Sequence, residues 1–143
     1  MASGDAGDAM DLDQAMIVAG IGCKAGASAQ EIEAAIGAAL SSAGLEGSAL
    51  GLIATSHAKA SETGIAAAAT KRGLKIAVVA QADLESAGTR TMTRSDRVVA
   101  VAGVPSVSEA AALAAAGRGA RLLAPRVAIG PATCALAISG DAP

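Results

Sequence analysis

The chain has 143 residues, the length of one domain, with a net charge of −2 and 52% apolar residues but no Phe, Tyr or Trp. The missing rings argue against a base-stacking platform for single-stranded nucleic acid and against aromatic cages, and the weak charge argues against a DNA-binding surface. A core of Val, Ile, Leu, Met and many alanines must rely on closely approaching backbones.

In chain order, the acids Asp5, Asp8, Asp11 and Asp13 all precede the first apolar run, so the rest of the chain carries eleven basic against nine acidic residues. That mild positive balance suits one pocket for an anionic small molecule. Residues 1–14 read as a disordered leader or an expression remnant, and residues 15–140 as a single domain. The acidic start lacks the basic segment of a secretory signal, and no uncharged apolar run reaches membrane-spanning length. Cys23 and Cys134 are too few and too distant for a disulfide framework. The expectation is a cytoplasmic protein with free thiols and neither a membrane nor a nucleic-acid partner.

Met16–Gly22 (MIVAGIG) reads as a buried strand closed by glycine. Ser28 and Glu31 form a capping-box pattern that opens a helix with Ile32, Ile36, Ala39 and Leu40 on one face, ending near Gly44. Leu50–Ala54 is a second strand, followed by the polar loop TSHAKAS, a helix from about Ser61 to Arg72 stopped by Gly73, and a third strand, Lys75–Ala80. Short helical pieces follow around Asp83–Ala87 and Asp96–Ala102, and Ser106 with Glu109 opens a further capped helix closed at Gly117. Arg121–Ala128 and Ala132–Ser139 read as two strands joined at Gly130-Pro131, a connection short enough for an antiparallel hairpin. The fold class expected is α/β: a three-layer α/β/α domain with a mixed, mainly parallel sheet and a C-terminal antiparallel hairpin.

Loops leaving the carboxyl ends of parallel strands gather along one edge, where ligands bind in such sheets. Gly22-Cys23-Lys24, Ser56-His57-Ala58-Lys59 and the segment from Gln81 to Asp83 all fall there. Gly20, Gly22 and Gly26 are spaced one residue too widely for the dinucleotide fingerprint, and the second strand ends in Ala54-Thr55 with no acid to hold a ribose. Nucleotide binding is thus the minor alternative. Free amides at the start of the first helix, with Lys24 beside them, suit a carboxylate or phosphate, although the same glycines also suffice for a tight turn. Cys23 near that helix start has a setting that favours thiolate, but a small apolar residue also closes strands for packing alone; Cys134, in the run TCALAI, reads as core. His57, the only histidine, is a candidate base in a polar loop or a plain exposed residue, and with the remote cysteines it makes no metal spacing. Lys59 and Glu62, three apart, can pair locally or address a substrate together.

As an ordered set, GIGCKAG, SAQEIEAAI, KASETG, GVPSVSEAAALAAAG and PATCALAI resemble the CobE family and the homologous C-terminal domain of CbiG proteins in cobalamin (vitamin B12) biosynthesis, from about Met16 to Ser139. The resemblance implies a three-layer α/β domain of the stand-alone kind. Two-domain CbiG proteins open the ring-C lactone of a cobalt-precorrin and release a two-carbon fragment, so the resemblance implies binding of, or action on, a precorrin or cobalt-precorrin. The family's glycine-cysteine-basic loop falls on Gly20, Gly22, Cys23 and Lys24. Its Lys-Ala-Asp-Glu stretch falls on Lys59, Ala60, Ser61 and Glu62, with Ser61 in place of the Asp, where it serves equally well if the role is a helix cap. Its Gly-Val-x-x-Val-x-Glu segment falls on Gly103, Val104, Val107 and Glu109, which brings Ser106, Ser108 and Glu109 toward the same edge. The expected site therefore combines Cys23, His57 and Glu62 as candidate nucleophile, base or acid with Gly22, Lys24, Gly26, Ser56, Lys59, Ser61, Ser106, Ser108 and Glu109 as substrate contacts. No cofactor is expected beyond cobalt carried by the substrate. The expected partner is an anionic tetrapyrrole, with other pathway enzymes or a second copy of the chain as further candidates.

Overall fold

Seven residues of β1, Ile17–Cys23, run through the centre of the domain in a computed structural model that describes residues 16–88, 106–117 and 119–140. The expected leader, the helical piece at 96–102 and the family positions Gly103 and Val104 lie outside the described residues. After β1 the chain forms α1 (Ala29–Ser42), β2 (Leu50–Ser56), α2 (Thr63–Arg72), β3 (Ile76–Val79) and α3 (Gln81–Ala87). The described chain resumes with α4 (Val107–Ala116), β4 (Arg121–Leu122), β5 (Val127–Ile129) and β6 (Ala132–Ile138).

Local chemistry sets these boundaries. Ser28 caps α1 by accepting from Glu31 N at 3.1 Å while Glu31 Oε1 accepts from Ser28 N at 2.9 Å, so the expected capping box is complete. Gly73, at φ +69°, ends α2 in the left-handed region that glycine enters without strain. β2 runs two residues past the expected end, because Thr55 and Ser56 continue the ladder and Thr55 Oγ1 donates to the Ile21 carbonyl at 3.0 Å. α2 starts at Thr63 with Glu62 in the N-cap position, so Ser61 stands exposed in the turn before it and does not cap the helix. The single strand expected over 121–128 is split into β4 and β5 around Pro125, which has no N–H to donate to a ladder.

The sheet order is β3-β2-β1-β6-β4, with β5 also on β6. β1, β2 and β3 are parallel, and β6 runs antiparallel to β1, β4 and β5. The mixed sheet and the hairpin through Gly130 (φ +55°) are as the sequence predicts. Because strand side chains alternate, Ile17, Ala19 and Ile21 face one core with Ile32, Ile36, Ile53, Ile65 and Leu136, beneath α1 and α2. Val18, Ala54, Ala135 and Ala137 face another, with Leu84, Leu113 and the alanines of α4. On this second face the ring-free core takes its expected form. A Cβ on Gly20 would run into the Ser108 carbonyl of α4 and lie 2.7 Å from Ala112 N. α4 thus lies directly on the strand backbone, its first turn over the carboxyl end of β1.

Candidate functional site

The carboxyl ends of β1, β2 and β3, the β5–β6 hairpin and the first turn of α4 meet at one edge of the sheet. On its α1/α2 side four amides of the loop 24–28 are tied down. Lys24 N donates to the Pro131 carbonyl (2.9 Å), Ala27 N to the Lys24 carbonyl (3.2 Å) and Ser28 N to Glu31. Gly26, at φ +82°, donates its N–H to Glu62 Oε1 at 3.1 Å. The Lys24, Gly26, Ala27 and Ser28 amides are therefore engaged within the chain, and the Gly26 amide already holds a carboxylate. Gly64 in the first turn of α2 explains the closeness of the two loops, since a Cβ there would strike the Ala27 carbonyl and lie 3.1 Å from Ile32 Cδ1.

Cys23, Lys59 and Glu62 come together at this point. Burial pushes the Cys23 thiol above its ordinary value, the Lys59 ammonium acts to lower it, and the Glu62 carboxylate acts to raise it further. Of the two readings of Cys23, this favours packing over a thiolate: the thiol is half-buried against the α1/α2 core, and α1 starts only at Ala29, with Ser28 as its cap. Lys59 lies half-buried in the 3-10 turn His57–Lys59, and His57 at its start is exposed. The local Lys59–Glu62 ion pair does not form; the ion pair seen among the described residues joins Arg72 of α2 to Glu33 of α1 at 3.1 Å. Lys24, exposed, and Lys59 have no carboxylate partner among the described residues.

On the α4 side the residues are hydroxyls. Gly22 and Thr133 face α4, and Ser56 lies one step beyond the Ile21–Thr55 pair with its side chain on that same face. Thr133 Oγ1 donates to the Gly22 carbonyl at 3.2 Å, and a Cβ on Gly22 would lie 2.8 Å from that hydroxyl and 3.7 Å from Ser108 N. Ser106, Ser108 and Glu109 are fully buried. Ser106 Oγ caps α4 by accepting from Glu109 N at 3.4 Å, and Ser108 Oγ has no partner among the described residues. Glu109 Oε2 accepts from Arg126 N, in the β4–β5 connection, at 2.9 Å. Thr55 and Thr133 were not singled out as edge residues from the sequence. Their signal is a threonine at the end of an apolar strand, where a hydroxyl fastens a neighbouring strand's carbonyl.

Cys134 sits in the core as expected, and burial pushes its thiol up to about 12 against a smaller lowering by Arg72. No group of three His, Cys, Asp or Glu able to hold a metal occurs among the described residues, and none of their helices is long and apolar enough to cross a membrane.

Comparison with known proteins agrees with this architecture. The family described as Cobalamin synthesis G C-terminus matches residues 17–137. The protein CobE of a Sinorhizobium species is 37% identical over 121 residues, covering 85% of this chain and 79% of its own. A crystal structure of CobE, a protein from the cobalamin (vitamin B12) biosynthetic pathway, superposes with a TM-score of 0.83 at 32% identity over 90% of this chain and 94% of that one. The cobalamin biosynthesis protein chiG of Agrobacterium tumefaciens is 44% identical, with a TM-score of 0.71 over 88% of this chain and all of that one. With the family matched from the first strand to the last, the chain belongs to the cobalamin synthesis G C-terminal family, the CobE/CbiG C-terminal proteins of cobalamin biosynthesis.

Proposed function

We propose that this protein binds a precorrin or cobalt-precorrin at the carboxyl edge of its sheet. The observation that carries the reading is the pair Lys24 and Lys59, both without a carboxylate partner among the described residues, beside a loop whose Gly26 amide is holding a carboxylate. Precorrins bear carboxylates around a large ring, and an ammonium pair with an amide donor suits that periphery. Without aromatic residues, the face of the ring would rest on aliphatic side chains. Relatives named for the cobalamin pathway support the ligand class.

Binding is favoured over opening of a lactone or related bond. A protonated Cys23 is a poor nucleophile, and the Glu62 carboxylate is engaged by Gly26. His57 is exposed. The protein then escorts a labile intermediate or presents it to another enzyme of the pathway, and any cobalt arrives with the ligand. Mass spectrometry of a precorrin incubated with the protein tests this: a retained ligand of unchanged mass is expected. A new product mass would replace the carrier with an enzyme, and no retained ligand would end the reading.

A further inference from the structure

Glu62 occupies an unusual position. Its backbone is the N-cap of α2, yet its side chain makes no capping bond to that helix. It also leaves Lys59, three residues earlier, without an ion pair, although the two are close enough that both act on the Cys23 thiol. Its carboxylate reaches instead to the N–H of Gly26, 36 residues away in sequence. Gly26 is exposed, and beyond its two chain neighbours no atom of the described residues lies within 4 Å of where its Cβ would stand, so the crown of the loop is open to a ligand.

We propose that Glu62 is a resident stand-in for one carboxylate of the ligand, and that a polycarboxylate binds by exchange at the Gly26 amide. The proposal rests on the precorrin-binding reading above. In the free protein Glu62 keeps the amide satisfied and the loop in place. On binding, a ligand carboxylate takes the Gly26 N–H and pairs with Lys59, a contact that Glu62 does not make. Glu62 moves off, and its carboxylate becomes available to the uncapped amides of α2. The number of hydrogen bonds is conserved while an ion pair is gained, and a ligand lacking a carboxylate at this spot cannot displace the incumbent.

Calorimetric titration of a stable corrinoid polycarboxylate, hydrogenobyrinic acid, into the wild type, Glu62→Gln and Glu62→Ala tests the exchange, with the Gly26 amide resonance followed in parallel. Removing the competitor and its charge should tighten binding of Glu62→Ala about three- to tenfold, with Glu62→Gln between it and the wild type because it keeps an acceptor but no charge. In the wild type the Gly26 amide signal should move on titration. If Glu62→Ala fails to fold, Glu62→Gln decides alone. Wild-type binding with equal or weaker affinity in the folded variants overturns the exchange and leaves the binding reading intact, whereas no binding by any of the three proteins overturns both.

Discussion

Replacing Gly20 with alanine tests how α4 is seated, and with it the geometry of the whole edge. The added methyl would meet the Ser108 carbonyl, Ala112 N at 2.7 Å and Ala112 Cβ at 2.9 Å, a wall of helix backbone and a side chain with no rotamer to change. Relief requires α4 to move away from β1. A displacement of roughly 1 Å over a contact face of roughly 100 Å² opens about 100 Å³ of void, and at ~24 cal/mol per Å³ this costs about 2–3 kcal/mol. The matched control is Gly37→Ala in the middle of α1, where no atom of the described residues outside the helix's own backbone lies within 4 Å of the new Cβ. There the methyl removes only the helix penalty of glycine and should add about 0.5–1 kcal/mol of stability. Urea unfolding of the two variants should give midpoints shifted in opposite directions at similar slopes. A Gly20→Ala protein within about 0.5 kcal/mol of the wild type would refute the backbone-on-backbone packing, since ordinary surface substitutions stay in that range.

Cys134 predicts a loss of stability in alkali. Its thiol, held near 12 in the folded protein against an ordinary 9.0, keeps its proton where the unfolded chain releases it. The Cys134 contribution to stability is therefore constant below about pH 8 and falls by up to about 1.4 kcal/mol per pH unit between the ordinary 9.0 and the folded value of about 12; comparing Cys134→Ala with the wild type at pH 7.5 and 10.5 should show a smaller fall in the variant. Alkylation of Cys23 by iodoacetamide should titrate above the ordinary thiol value of 9.0, with Lys59→Ala moving the midpoint further up and Glu62→Ala moving it down; a wild-type midpoint below that ordinary value would contradict the burial of the thiol. Lys24→Ala and Lys59→Ala should each weaken corrinoid binding by about 1 kcal/mol, more at low salt, while changing the urea midpoint little. Unchanged affinity in the double variant would remove both lysines from the site.

Much of the architecture is legible in the chain because it rests on local signals. MIVAGIG followed by Ser28 and Glu31 contains an apolar strand and a reciprocal cap, and both form, although the strand runs Ile17–Cys23, one residue past the glycine expected to close it. Boundaries were legible only where a residue such as Gly73 supplies a local stop. The extension of β2 through Ser56 depends on a hydroxyl bond between strands, and the split at Pro125 on how two short strands share one edge of β6. The site is readable to the level of which loops converge, since parallel strands deliver Lys24 and Lys59 to one edge. The partners of its groups are not, because they are set by tertiary contacts. Glu62 chooses a distant amide over the lysine three residues away, and Glu109 is drawn to the Arg126 amide after completing only one side of the expected capping box. Cys23 illustrates the same point electrostatically: its neighbours in sequence suggest a thiolate, and desolvation outweighs them.

The most direct measurement is a map of amide chemical shifts during titration with hydrogenobyrinic acid. The signals of Lys24, Gly26 and Lys59 should move together and saturate at one common ligand concentration. No movement at saturating ligand, or movement confined to residues remote from this edge, would contradict the binding of a corrinoid there.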